Sequence, residues 1–206
     1  MRTINFTGKI TTREPLMPGL RSGTRLPRNG GPSATPYFPA YSIRGAIRHA
    51  AYQVVIEHLS MKNNGVVPLE QAEHLILAKG IDIDGRTNAG LVGRIDARNY
   101  MRTKNPMLSL FGVEGFTGKT GISNAMPADG DKWAISEGDG ERNVEGSVDA
   151  CESFTTGSEL SHRMSVRNVT DIEAGFFLAA LLRFASNPRL GGYSEHHCGL
   201  VEATWQ

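Results

Sequence analysis

The sequence has only two cysteines in 206 residues, Cys151 and Cys198, and neither belongs to a Cys-x-x-Cys pair. Two cysteines are too few for a disulfide framework, so a reducing cytoplasm is the expected setting. Long hydrophobic runs are missing too. The longest, Ala174 to Leu182, falls far short of the roughly 20 residues needed to span a bilayer. No N-terminal apolar region resembles a signal peptide, and a soluble chain without a membrane partner is expected. The third absence is local: between Glu14 and Glu57 there is no Asp or Glu. That stretch therefore offers no carboxylate for general acid–base work, and His49, inside a helix, is a poor substitute.

What is present is unevenly distributed. The formal net charge of +1 conceals a basic first segment, where Arg2, Lys9, Arg13, Arg21, Arg25, Arg28, Arg44 and Arg48 face only Glu14 and Glu57. Between Pro127 and Leu160 the balance reverses, with Asp129, Asp131, Glu137, Asp139, Glu141, Glu145, Asp149, Glu152 and Glu159 against Lys132 and Arg142. Such polarity suits a protein that holds an anionic strand with one surface and meets a basic neighbour with another; a solvated acidic loop is the plainer alternative. With 39% hydrophobic residues, 206 residues can bury one sizeable core, so one domain with insertions is expected over 1–206.

Along the chain, Ile4, Phe6 and Ile10 alternate with polar residues in a first strand. A Pro- and Gly-rich loop from Pro15 to Pro39 carries Arg21, Arg25 and Arg28. Pro36 and Pro39 hold their predecessors extended, Ser42 is a candidate N-cap, and Ile43, Ile47, Ala50 and Val54 recur at helical spacing. The helix is expected to begin near Ile43. Arg44 and Arg48 then lie one turn apart near free amides and the positive end of the dipole, with Gly45 admitting a ligand backbone. An ordinary amphipathic helix with solvated arginines is the alternative. The helix fades near Leu59, and the Lys62 to Gly65 turn opens an insertion over 60–105. Within it a short helix runs from Pro68 to Gly80, while 81–105 shows no assignable pattern.

In the second half, Gly121 to Met126 reads as a strand, and Asp129 to Phe154 as a protruding hairpin or flexible arm. Leu160, His162, Met164 and Val166 alternate with Ser161, Arg163, Ser165 and Arg167, which is strand periodicity with a cationic second face. Thr170 to Glu173 has the capping-box pattern. The apolar run from Phe176 to Phe184 predicts a helix buried on nearly every side, stopped by Asn187-Pro188. A last strand covers Leu200 to Trp205. The order β-helix-β then β-helix-β gives an α+β fold with a ferredoxin-like, RNA-recognition-motif-like core.

Two motifs are weak. Gly118-Lys119-Thr120 imitates the end of a Walker A loop, but the pattern needs glycine where Val113 stands. His196-His197-Cys198 suggests metal, yet neighbours on an extended chain point to opposite sides and no ligand pair completes a zinc site. No cofactor is expected.

The segment Pro36-Tyr37-Phe38-Pro39-Ala40-Tyr41-Ser42-Ile43-Arg44-Gly45-Ala46-Ile47-Arg48 resembles a signature of the RAMP superfamily of CRISPR-associated proteins. Three further pieces stand in the family's order: Leu110-Phe111-Gly112, Thr156-Gly157-Ser158, and Arg189-Leu190-Gly191-Gly192 followed by Gly199-Leu200-Val201. Together they span nearly the whole chain, and the likeness is greatest to the Cas seven family of backbone subunits, in its type IV branch. The resemblance implies a single RAMP domain with a thumb-like arm over 127–158. It implies a subunit that binds CRISPR guide RNA, stacks with copies of itself along the spacer, and presents the guide to a complementary target; without an acid between Glu14 and Glu57, that subunit is expected to be non-catalytic. Arg21, Arg25, Arg28, Ser42, Arg44, Gly45 and Arg48 would meet the RNA, as would Arg163, Arg167, Gly191 and Gly192. His196 and His197 either face RNA or are simply solvated. The type IV likeness further implies a DNA target, guide-processing and large subunits, and a separate helicase. Two alternatives stand beside it. A type III-like ribonuclease would need the loop aspartate missing here, and a stand-alone RNA-binding module would need strand aromatics.

Overall fold

The computed structural model describes residues 2–18, 25–31, 33–62, 64–65, 106–113, 116–128, 132–142, 148–191 and 198–206. They form a mixed α+β fold. The elements are β1 (Arg2–Thr12), α1 (Ala40–Lys62), α2 (Pro106–Phe111), β2 (Gly112–Val113), β3 (Phe116–Thr117) and β4 (Thr120–Ile122). There follow β5 (Met126–Pro127), β6 (Ile135–Arg142), β7 (Val148–Phe154), β8 (Glu159–Val169), α3 (Asp171–Ser186) and β9 (Val201–Trp205). The main sheet runs β4-β8-β1-β9, with β5 on β8; β2 with β3 and β6 with β7 make two-stranded ladders. β1 and β9 pair antiparallel from Gly8 opposite Trp205 to Thr12 opposite Val201.

The chain divides into two compact units, the first comprising Met1–Ile4, Ile47–Gly121 and Val166–Arg183. Its described part is organised around one buried carboxylate. Glu173 and Thr170 form the reciprocal capping box, Glu173 Oε2 accepting the Thr170 N–H at 2.8 Å and Thr170 Oγ1 the Glu173 N–H at 3.2 Å. The same carboxylate takes both bonds of Lys119 at 2.7 and 2.8 Å and the hydroxyl of Ser109. The Walker-like lysine is thus committed to a protein acid. Phe111 tilts against Phe177 at 6.1 Å, and Arg183 bridges Glu57 at 2.9 Å.

The second unit comprises Asn5–Ala46, Ile122–Ser165 and Phe184–Gln206. Its core includes Ile10, Leu16, Leu26, Phe38, Phe154, Leu160 and Met164, all at most 2% exposed. The acidic stretch contains a hairpin: Ile135 faces Phe154, Glu137 faces Glu152, and the register shifts between Asp139 and Arg142. In β8 the burial alternates as the sequence requires, Leu160, His162, Met164 and Val166 inward, Ser161, Arg163 and Arg167 outward. Alternation ends at Asn168, whose φ of 53° leaves Arg167 and Asn168 exposed side by side.

Three expectations are corrected. α1 begins at Ala40, so Ser42 lies inside its first turn instead of capping it. The Pro39 carbonyl receives the N–H groups of Ser42 (3.1 Å) and Ile43 (3.4 Å), and Asn124 Oδ1 takes the Ala40 N–H at 2.9 Å. A distant side chain thereby does what the local serine was expected to do. The strand expected from Gly121 to Met126 is two short ones, separated by Ser123, Asn124 and Ala125, the last of which bridges Phe38. α3 is not buried all round: Phe177, Ala180, Leu181 and Phe184 face inward, while Ile172, Leu178 and Leu182 are 80%, 44% and 73% exposed. The expected helix from Pro68 to Gly80 and the unassigned stretch 81–105 lie outside the described residues. Among those residues no helix is long and apolar enough to cross a membrane.

Candidate nucleic-acid interface

Within the second unit, segments far apart in sequence meet at one place. Where the chain leaves β1, Leu16 and Phe154 exchange both backbone hydrogen bonds, at 2.9 and 3.0 Å, so the arginine-bearing loop starts on the base of the hairpin. The glycine-rich loop closes on the same spot. Gly199 N–H reaches the Pro15 carbonyl at 2.9 Å, and the Glu14 carboxylate holds Arg189 at 3.1 Å and the Leu200 N–H at 3.0 Å. Gly191 sits against the Met17 backbone with φ +78°, and a Cβ there would overlap the Met17 carbonyl oxygen, so the close approach requires glycine. Thr12 ties in the Thr156-Gly157-Ser158 turn: its hydroxyl donates to the Thr155 carbonyl at 2.6 Å and accepts the Ser158 N–H at 2.8 Å. Two of the motif segments, the Gly-Ser turn and the glycine-rich loop, are thereby joined to the start of the arginine loop and the base of the hairpin.

The loop from Arg25 to Phe38 is folded back and pinned. Arg28 bridges Pro36, Tyr37 N–H bonds the Pro27 carbonyl at 2.9 Å, and Phe38 pairs with Ala125. Beneath it lies Glu152, 7% exposed. Its Oε2 accepts from Arg28 at 2.7 Å and from the Leu26 N–H at 3.0 Å, and Arg28 Nη1 also donates to the Leu26 carbonyl at 3.0 Å. The bond from Arg28, aided by the Leu26 amide and the charges of Arg28 and Arg25, holds the Glu152 carboxyl below its usual range despite burial. Arg25 itself is exposed and makes no hydrogen bond or ion pair with a described residue.

The cations on regular elements differ in their commitments. On α1, Arg44 and Arg48 are half-buried and Gly45 is exposed. Near Arg44 the first-turn amides of Ala40, Ser42 and Ile43 already have partners. On β8, the core side is marked by His162, whose ring covers Gly8 of the neighbouring strand, and the outer side by the 3.0 Å bridge of Glu159 to Lys9. Arg163 projects on that outer side. Neither Arg48, Arg163 nor Arg167 has a side-chain hydrogen bond or ion pair with another described residue, whereas Arg28 and Arg189 are bound to Glu152 and Glu14. Arg21, Gly192, His196 and His197 lie outside the described residues.

Sequence reasoning missed Glu152, Glu14 and Asn124. Glu152 is one of nine acids in its stretch, and nothing in their spacing singles it out as buried. Among the described residues no group of three or more His, Cys, Asp or Glu could hold a metal ion. Burial, with a smaller contribution from Glu14, raises the pKa of the Cys198 thiol, which disfavours its thiolate.

No protein-family model and no curated protein matches this chain. Solved structures do. A chain of a structure described as a type IV-B CRISPR complex superposes with a TM-score of 0.63 at 19% identity, over 98% of this chain and 90% of that one. A chain of the cryo-EM structure of the type III-B Cmr-beta bound to cognate target RNA superposes with a TM-score of 0.52 at 14% identity, over 99% of this chain and 60% of that one. At these identities the likeness is one of fold, and that fold agrees with the Cas seven-like, RAMP-type resemblance carried by the sequence motifs.

Proposed function

We propose that this chain is a non-catalytic backbone subunit of a CRISPR effector, which binds guide RNA, stacks with copies of itself along the spacer, and offers the guide bases for pairing. The observation that carries this reading is the convergence of the arginine loop, the Gly-Ser turn, the glycine-rich loop and the hairpin base in a chain folded like one from a type IV-B CRISPR complex. A strand order β4-β8-β1-β9 with α1 and α3 as its long helices supports a ferredoxin-like core, and β6-β7 is our candidate for the thumb-like arm over 127–158. Arg25, Arg44, Arg48, Arg163 and Arg167 are assigned to phosphates, which supply affinity without sequence preference, and pairing supplies specificity. The absence of catalysis is inferred from the acid-free stretch after Glu14. Glu14 itself is engaged by Arg189 and the Leu200 amide. A DNA target, guide-processing and large subunits, a helicase partner and a cytoplasmic setting belong to the same proposal.

A head-to-tail contact that does not close into a ring builds an open filament, and a threaded guide limits its length. The expected result is a small species without nucleic acid and a multi-copy particle with guide RNA, its mass rising in steps as the spacer lengthens. Native mass measurement over a spacer-length series tests this. One protein per RNA at every length would sink the backbone reading in favour of a stand-alone RNA-binding module.

A further inference from the structure

Glu152 stands in the return strand of the hairpin, yet its bonds go to the arginine loop. One carboxylate oxygen accepts both the Leu26 amide and the Arg28 guanidinium, and Arg28 closes the ring on the Leu26 carbonyl. The pair is mostly screened from water, with side-chain exposures of 17% for Arg28 and 9% for Glu152. Removing either partner would leave the other charge uncompensated in that setting, so the pair acts as a pin that is costly to open. Leu26 is driven into the core at 2% exposure with its amide held by Glu152, and its neighbour Arg25 is left exposed on the backbone that this amide anchors. A loop on its own would sample many conformations, and the ordering entropy would then fall on the binding step.

Resting on the guide-binding reading above, we infer that Glu152 is a positioning residue for RNA: it withdraws Arg28 from phosphate contact and holds the loop so that Arg25 makes that contact. The two arginines, three positions apart and both in the basic segment, therefore have different roles. Arg28 shapes the loop, and Arg25 meets the ligand. The arm is tied into the same device, because its return strand supplies both Glu152 and the Phe154 that pairs with Leu16.

The salt dependence of binding separates the roles, since only a cation that neutralises a phosphate contributes to the slope of log K against log salt. The probe is a labelled, unstructured single-stranded RNA titrated with the full chain at several salt concentrations. R25Q is expected to weaken binding and to reduce the slope by about 1. R28Q is expected to weaken binding with the slope unchanged. In an E152Q background, R25Q is expected to lose most of its effect, because the two act as one unit. A slope change for R28Q equal to that of R25Q overturns the inference and leaves guide binding intact, as does an undiminished R25Q effect in E152Q. A wild-type chain that does not bind the probe overturns the guide-binding reading itself, and the inference with it. The comparison of R25Q with R28Q decides the matter even if E152Q does not fold.

Discussion

His162 is 3% exposed, and neither ring nitrogen has a hydrogen-bond partner among the described residues. The ring fills the space that a side chain at Gly8 would take, and a Cβ on Gly8 would overlap Nε2. Burial pushes the imidazole pKa down from 6.5 to about 4. The unfolded chain therefore binds a proton that the folded chain refuses between those values, and stability falls as pH is lowered through that window. The full effect is about 3 kcal/mol from the size of the shift. The buried acids act lower: Glu152 and Glu173 have depressed pKa values, so their contributions persist above the unfolded carboxylate value and disappear only as pH drops below it. Urea midpoints between pH 7 and 4.5 should fall steadily for the wild type and stay nearly level for His162→Phe, which keeps a ring over Gly8 without a titrating nitrogen. An identical fall in both proteins would assign the acid sensitivity elsewhere.

Among the elements, α3 shows most clearly how local and long-range forces combine. Its capping box was evident from Thr170 and Glu173, but the box is only part of what Glu173 does. Burial raises its pKa, and the bonds from Lys119, Ser109 and Thr170 outweigh that and lower it overall. Truncating it to alanine leaves the Lys119 ammonium, 22% exposed, without its partner. Breaking a pair in this way costs about 3 kcal/mol, the low end for buried pairs because the lysine is partly wet. Glu173→Ala should therefore lower the urea midpoint far more than the ~1 kcal/mol of an ordinary lost cap. Lys119→Met combined with Glu173→Leu should recover much of the loss. A Glu173→Ala midpoint within error of the wild type would mean that the cluster is not a latch.

At the scale of the whole molecule, the prediction is chemical silence. An assembled particle should leave a complementary RNA target uncut with or without added Mg²⁺, because the stretch after Glu14 offers no carboxylate and Glu14 is held by Arg189. Gel analysis of a labelled target would reveal regularly spaced cleavage, and such a ladder in a nuclease-free preparation would make the ribonuclease alternative the correct one.

Periodicity and punctuation in the sequence determine a good deal of this fold. The alternation in β8, the box at Thr170, the turn at Gly157, the stop at Asn187-Pro188 and the α+β order follow from interactions within a few residues, and a linear pattern records those directly. Tertiary structure alone decided the rest. Asn124 displaced Ser42 from the start of α1, because an N–H at a helix end donates to any oxygen that packing brings near. α3 kept Ile172 and Leu182 exposed, since an apolar run states how much a helix can bury and not how much of it a neighbour covers. Arg28 became a partly buried ion-pair partner and Arg25 did not, although their residue type and surroundings in sequence are alike. A charge's role depends on which opposite charge lies within a few ångströms and how much water remains between them, and both are properties of the folded chain.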